Sequence, residues 1–225
     1  MSETKMTVKV YRPLLQSFNR QVKALHMMES AFLNSMIRQE TPHLAEELAG
    51  KRMSSAARTY VARSLKRMGT RQINIVVDRE TADALNKTVE ESNMVRDAFI
   101  NRLIMFLRSS DFLLKYLELP EFVTGSAFKS VVEPMQTSPL RSLEAIHADP
   151  LYYLRIAVEE RHETGLYLLD MPPQLVGFSC HLDDARVPGT DRYEEAQREV
   201  EEMLRELDDF EGVVFAGGPA KAMTQ

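Results

Sequence analysis

The sequence predicts a mainly α-helical fold carrying one short antiparallel β-ribbon, followed by a small, acidic α+β domain. Three observations lead there. Residues 1–110 repeat themselves at an offset of 67 positions. Each copy opens on alternating polar and apolar residues and continues with helical periodicity. Charge then divides the chain: residues 1–110 hold 18 Lys and Arg against 11 Asp and Glu, whereas residues 111–225 hold 10 against 22. The net charge of −5 therefore splits into +7 and −12. A basic half suits a polyanion partner, and an acidic half suits a separate task.

The repeat aligns Lys5–Ile37 with Gln72–Ile104 without a gap, and nine of the 33 pairs are identical, among them Val10/Val77, Asn19/Asn86, Phe32/Phe99 and Asn34/Asn101. Chance would supply roughly two, so the copies are one supersecondary unit used twice, at about residues 5–38 and 72–107. The strand of the first copy is Lys5-Met6-Thr7-Val8-Lys9-Val10, and that of the second is Gln72-Ile73-Asn74-Ile75-Val76-Val77. Period two places Met6, Val8 and Val10 on one face, as it does Ile73, Ile75 and Val77. The opposite face carries Lys5, Thr7 and Lys9 in one copy and Gln72, Asn74 and Val76 in the other.

Helices follow each strand. In the second copy Asp78 is expected to cap a helix from Arg79 to about Glu91, with Ala82, Leu85 and Val89 inside. A polar break at Ser92-Asn93 leads into a helix from about Val95 to Leu107, burying Ala98, Phe99, Leu103 and Phe106. The first copy repeats this with Pro13 in the first turn, Phe18 and Val22 inside, a break near Leu25-His26, and a second helix through Phe32 and Met36. A single strand with two helices cannot bury its own apolar face, so the two strands are expected to pair antiparallel within one chain.

The connector, residues 39–71, is basic. Leu48–Arg71 holds seven basic residues and no acid. Ser54 or Ser55 caps a helix ending at Gly69, with Ala57, Tyr60, Val61, Leu65 and Met68 forming its apolar stripe. Arg58, Arg63, Lys66 and Arg67 fall largely elsewhere. With Arg71 they suit phosphate contact, or simply a solvated helix face.

In residues 111–225, segment 120–150 is Pro-rich and reads as irregular or short elements. Asp149-Pro150 opens a helix to about His162. Gly165–Asp170 and Leu175–Leu182 are apolar runs suited to strands. A Glu-rich helix spans about Asp191–Leu207, a short strand Val213–Phe215 follows, and Gly217–Gln225 is a frayed tail. Lone Cys180 excludes an intramolecular disulfide, and the longest apolar run, Ala98–Leu107, is interrupted by Asn101 and Arg102. A cytoplasmic protein with no membrane span, no metal and no cofactor is expected. Cys180 and His181 are neighbours on an expected strand and would point to opposite faces, so no catalytic pair and no enzyme is expected.

The polar ribbon residues Gln72-Ile73-Asn74-Ile75, the following Arg79-Glu80 and the Glu90-Glu91-Ser92-Asn93 break resemble the ribbon-helix-helix DNA-binding family, here in two tandem copies. That resemblance implies reading of base edges in the major groove by a β-ribbon. It implies base contacts for Gln72 and Asn74 and, through the repeat, for Lys5, Thr7 and Lys9. Val76 stands where the family pattern has arginine, which leaves an apolar touch on a thymine methyl. Asn93, at the break before the second helix, is implied to meet phosphate. The implied function is sequence-specific binding of double-stranded DNA by a transcriptional regulator, with repression as its mode. Residues 111–225 would then oligomerise the chain or recruit a protein. Two alternatives share these features: an accessory protein of mobile-element DNA processing (relaxosome or partition), and an antitoxin-like protein-binding module.

Overall fold

The apolar alternation of two distant segments demands a shared sheet, and the chain provides one. The structure, a computed structural model, describes residues 2–119 and 138–215. Strand β1 (Glu3–Tyr11) pairs antiparallel with β2 (Thr70–Asp78), with Thr7 opposite Asn74 at the centre of the register. Those two residues are each other's counterparts in the repeat, so the ribbon has an internal two-fold through their pair. Met6, Val8, Val10, Ile75 and Val77 are buried beneath it, and Ile73 is half-buried.

Helices α1 (Arg12–Ala24) and α2 (Glu29–Glu47) complete the first copy, and α4 (Arg79–Ser92) and α5 (Arg96–Arg108) the second. Their inner stripes hold Leu14, Leu15, Phe18 and Val22 on α1, and Ala98, Phe99, Leu103 and Phe106 on α5. The connector helix α3 (Ser55–Arg67) is capped by the Ser54 hydroxyl, which accepts from the Ala57 N–H at 3.0 Å. Gly69, at φ +81°, then turns the chain into β2 in a conformation that suits glycine. Helix α2 outruns α5, 19 residues against 13, and takes up the start of the expected connector. Asp78 does occupy the N-cap position of α4 but makes no cap bond. Its carboxylate instead accepts from Asn34 Nδ2 at 2.9 Å, because α2 lies alongside the end of β2.

Beyond α5 come α6 (Asp111–Tyr116), α7 (Pro139–Ala148) and α8 (Tyr152–His162). Among the described residues of the acidic half there is no strand. Gly165–Asp170 forms turns, and a 3₁₀-helix over Pro173–Phe178 overlaps the start of the second expected strand. The apolar residues there are buried, including Leu166, Tyr167, Leu169, Val176, Phe178 and Cys180, and side chains of the repeat hold the backbone of residues 166–169 in place of a sheet. The Glu-rich helix α9 (Asp191–Phe215) absorbs the expected strand at Val213–Phe215. Expectations for 120–137 and for Gly217–Gln225 lie outside the described residues.

The chain divides into two compact units, Met1–Leu182 and Asp183–Gln225, and not at the charge boundary near residue 110. The cause is a buried polar frame. Arg102, fully buried on α5, donates from Nε to the Leu166 carbonyl at 2.7 Å and from Nη2 to the Leu169 carbonyl at 2.5 Å. Glu47 on α2 accepts from the Tyr167 and Leu168 N–H groups at 2.6 and 3.1 Å. Glu40 accepts a two-pronged contact from Arg155 at 3.0 and 3.2 Å, and the Tyr167 hydroxyl at 2.7 Å. Residues 138–182 thus complete the same unit as the repeat. The second unit is closed on itself by Asp183, which accepts from the Ala185 N–H at 2.8 Å and pairs with Arg192 at 3.4 Å. Among the described residues no helix is long and apolar enough to cross a membrane.

Two outcomes follow from this packing. A Cβ on Gly177 would lie 2.7 Å from the Leu65 backbone nitrogen, so Gly177→Ala should cost about 1–3 kcal/mol, read as a lowered Tm. Burial raises the Glu47 carboxyl above its ordinary 4.5, with the Tyr167 and Leu168 N–H groups and then Arg102 pulling it back. The folded chain therefore holds that proton more tightly than the unfolded chain, and ionisation of Glu47 opposes folding. The stability of the wild type relative to Glu47→Gln should fall as pH rises through the range just above 4.5, measured by urea unfolding at a series of pH values.

Candidate nucleic-acid interface

The ribbon face opposite the core presents six side chains as three cross-strand pairs: Lys5 with Val76, Thr7 with Asn74, and Lys9 with Gln72. Five are exposed and Val76 is half-buried. Directly opposed residues of such a pair stand about 4.5–5.5 Å apart, so the six form a narrow patch of donors and acceptors. At its centre the Thr7 hydroxyl donates to Asn74 Oδ1 at 2.9 Å. Asn74 keeps its amide hydrogens and a second lone pair for an outside group.

What holds this patch out to solvent is the treatment of its edges. An unpaired strand edge is a row of backbone groups awaiting partners. Along β1, Asn101 of α5 accepts the Tyr11 N–H at 2.8 Å and donates to the Lys9 carbonyl at 2.8 Å. Arg96 donates from Nη2 to the Thr7 carbonyl at 2.8 Å, and the Lys9 N–H bonds the Asp97 carboxylate. Along β2, Asn34 of α2 accepts the Asp78 N–H at 3.1 Å. Asn34 and Asn101 are counterparts in the repeat, and each serves the strand of the other copy. The sequence does carry a signal for this role: a polar residue kept at the same inner helical position in both copies. Arg96 left no such trace, since its counterpart is Glu29.

The cations are distributed unevenly. Arg58, Arg63 and Lys66, all exposed on α3, line a recess of about 460 Å³ together with Lys9 of β1 and with Val95 and Asp97 at the start of α5. Burial raises the Asp97 carboxyl, and the Lys9 N–H and the charges of Arg96 and Lys9 draw it back. Arg67 is outside the recess, donating to the Ser64 hydroxyl at 3.1 Å. Arg71 pairs with Val10 in the register and so belongs to the core-facing parity of β2, exposed only because it lies near the strand end.

Asn93 is engaged by the backbone around it. It sits at φ +54° as the C-cap of α4, its N–H donating to the Glu90 carbonyl and its Nδ2 to the Met53 carbonyl at 2.8 Å. Asparagine tolerates the left-handed conformation required there, and that is the property in use.

Elsewhere, burial pushes the Cys180 thiol up to about 12, which leaves it protonated and out of contact with solvent. Among the described residues no group of three or more His, Cys, Asp or Glu side chains is placed to hold a metal ion. No protein-family model matches the chain, and no curated protein or solved structure matches it significantly.

The edge bonds make a direct prediction. Asn101 is fully buried and serves two backbone groups of β1, whereas Asn34 is half-buried and serves one of β2. Asn101→Ala should destabilise the chain by about 2–3 kcal/mol, and Asn34→Ala by about 1 kcal/mol, in equilibrium unfolding.

Proposed function

We propose that the chain is a sequence-specific double-stranded DNA-binding protein of tandem ribbon-helix-helix type, acting as a transcriptional regulator with repression as its mode. The observation that carries this reading is the solvent-facing patch of three cross-strand pairs, centred on Thr7 and Asn74 within one chain. A two-stranded ribbon fits the major groove, about 12 Å wide. Gln72 and Asn74 suit adenine N6 and N7, Lys5 and Lys9 suit guanine O6 and N7, and Val76 suits a thymine methyl. Arg58, Arg63 and Lys66 beside Lys9 supply the cationic wall that a phosphate backbone requires. Arg67 and Arg71 add general positive potential at a distance from that recess.

The second unit supports a partner-binding role in the same reading. On α9 the apolar side chains Val200, Met203 and Leu204 are exposed among acidic neighbours. An acidic surface opposes phosphate contact, so residues 111–225 are assigned to oligomerisation or to recruiting a protein.

Base readout and phosphate attraction separate by their salt dependence. Gln72→Ala or Asn74→Ala should cost about 1–3 kcal/mol on a preferred duplex, much less on random DNA, and leave the salt slope nearly unchanged. Arg63→Ala or Lys66→Ala should weaken binding to both duplexes alike and reduce the slope by about one. Titrations of both duplexes at several salt concentrations test this. Equal losses on both duplexes for the Gln72 and Asn74 variants would remove the ribbon as the reader.

A further inference from the structure

The internal two-fold of the ribbon is geometric but not chemical. The offset of 67 sets Lys9 against Val76, Lys5 against Gln72, and Arg96 against Glu29. Beside β1, Arg96 bridges the Thr7 carbonyl and the Asn86 side-chain oxygen, at 2.8 and 3.3 Å. The counterpart of Asn86 is Asn19. With glutamate standing where the arginine would be, Asn19 Oδ1 is buried with no hydrogen-bond partner among the described residues.

The connector deepens the difference. It occurs once in the chain, and its Arg58, Arg63 and Lys66 all join Lys9 on the β1 edge. No ion pair or hydrogen bond engages the side chains of those three among the described residues, so their charges are free to meet an anion. The turn into α2, along the β2 edge, is of another character. Leu25 and Met28 are 67% and 79% exposed there, and Glu29 occupies the first turn of the helix. Arg12 and Arg79 are equivalent in the two copies and do not offset the difference.

Building on the DNA-binding reading above, we propose that the ribbon grips the two backbones of the groove unequally. The DNA strand along the β1 edge has its phosphates held by Lys9 and the three α3 cations. The strand along the β2 edge faces Leu25, Met28 and Glu29, without a comparable cationic seat among the described residues. Base readout is unequal in the same sense, since Lys5 and Lys9 stand on one strand of the ribbon and Gln72, Asn74 and Val76 on the other. The target is therefore non-palindromic, and one DNA strand carries most of the counterion release.

The test is phosphate-ethylation interference and hydroxyl-radical footprinting of the full-length chain on a duplex selected from a random pool. Contacts should concentrate on one strand, and Arg63→Ala and Lys66→Ala should each weaken protection on that strand alone. Glu29→Arg replaces an acid beside the β2 edge with a cation. It should extend protection to the second strand and steepen the salt slope by about one. Equal protection of both strands in the wild type, or loss on both strands in the α3 variants, would overturn the inference while leaving DNA binding intact. Failure to select any duplex would overturn the DNA-binding reading itself, and this inference with it.

Discussion

The antiparallel register that places Thr7 opposite Asn74 governs the rest of the molecule. A shift by one residue would turn Met6, Val8 and Val10 to solvent and carry Lys5, Thr7 and Lys9 into the core. Hydrophobic burial alone would set that register, but it is also set by hydrogen bonds from outside the ribbon. Asn101 reads the backbone of β1 at Lys9 and Tyr11, and Asn34 reads β2 at Asp78. Each asparagine belongs to the copy opposite the strand it serves, so neither copy can complete its sheet without the other. Along β1 the bonds from Asn101 and Arg96 also remove the template on which another strand could pair. The ribbon consequently stays two-stranded, with one face buried and one face open.

The same economy of polar partners explains why residues 138–182 fold onto the repeat. Arg102 interrupts the apolar run of α5 and would be a buried charge without acceptors. The carbonyls of Leu166 and Leu169 supply them, and burial lowers the guanidinium pKa against the opposing pull of the Glu47 carboxylate. Glu47 and Glu40 anchor the same stretch from α2. Desolvation offsets much of the attraction in buried ionic groups of this kind, so their net contribution to stability is small. Segment 165–182 therefore takes its shape from partners contributed by α2 and α5, and its turns follow their positions.

Joining the two copies in one chain has a chemical consequence. Two identical chains paired through such a ribbon would carry the same residue at both ends of the two-fold. Here the ends have diverged to Lys9 and Val76, and the flanks to Arg96 and Glu29, while the buried positions beneath them kept their apolar register. The inner face is constrained by packing and the outer face is not, so the outer face is where an asymmetric function can reside.

By itself the sequence determined the repeat, the period-two strands, the helices and their inner stripes. Each of these is a local property, written in the spacing of apolar residues within ten or twenty positions. It determined equally the alternation that sends Lys5, Thr7, Lys9, Gln72, Asn74 and Val76 to one face. The roles of Asn93 and Asp78 were not legible, because a polar residue at a helix boundary can cap, turn or pair according to what lies nearby. The apolar runs at 165–170 and 175–182 suited strands equally well. Only the tertiary structure decided against strands, since Arg102 and Glu47 claimed backbone groups of residues 166–169. The gathering of Arg58, Arg63 and Lys66 around Lys9, with Arg67 and Arg71 left apart, was likewise decided in three dimensions. Charge counts along a chain do not specify which helix face meets which strand.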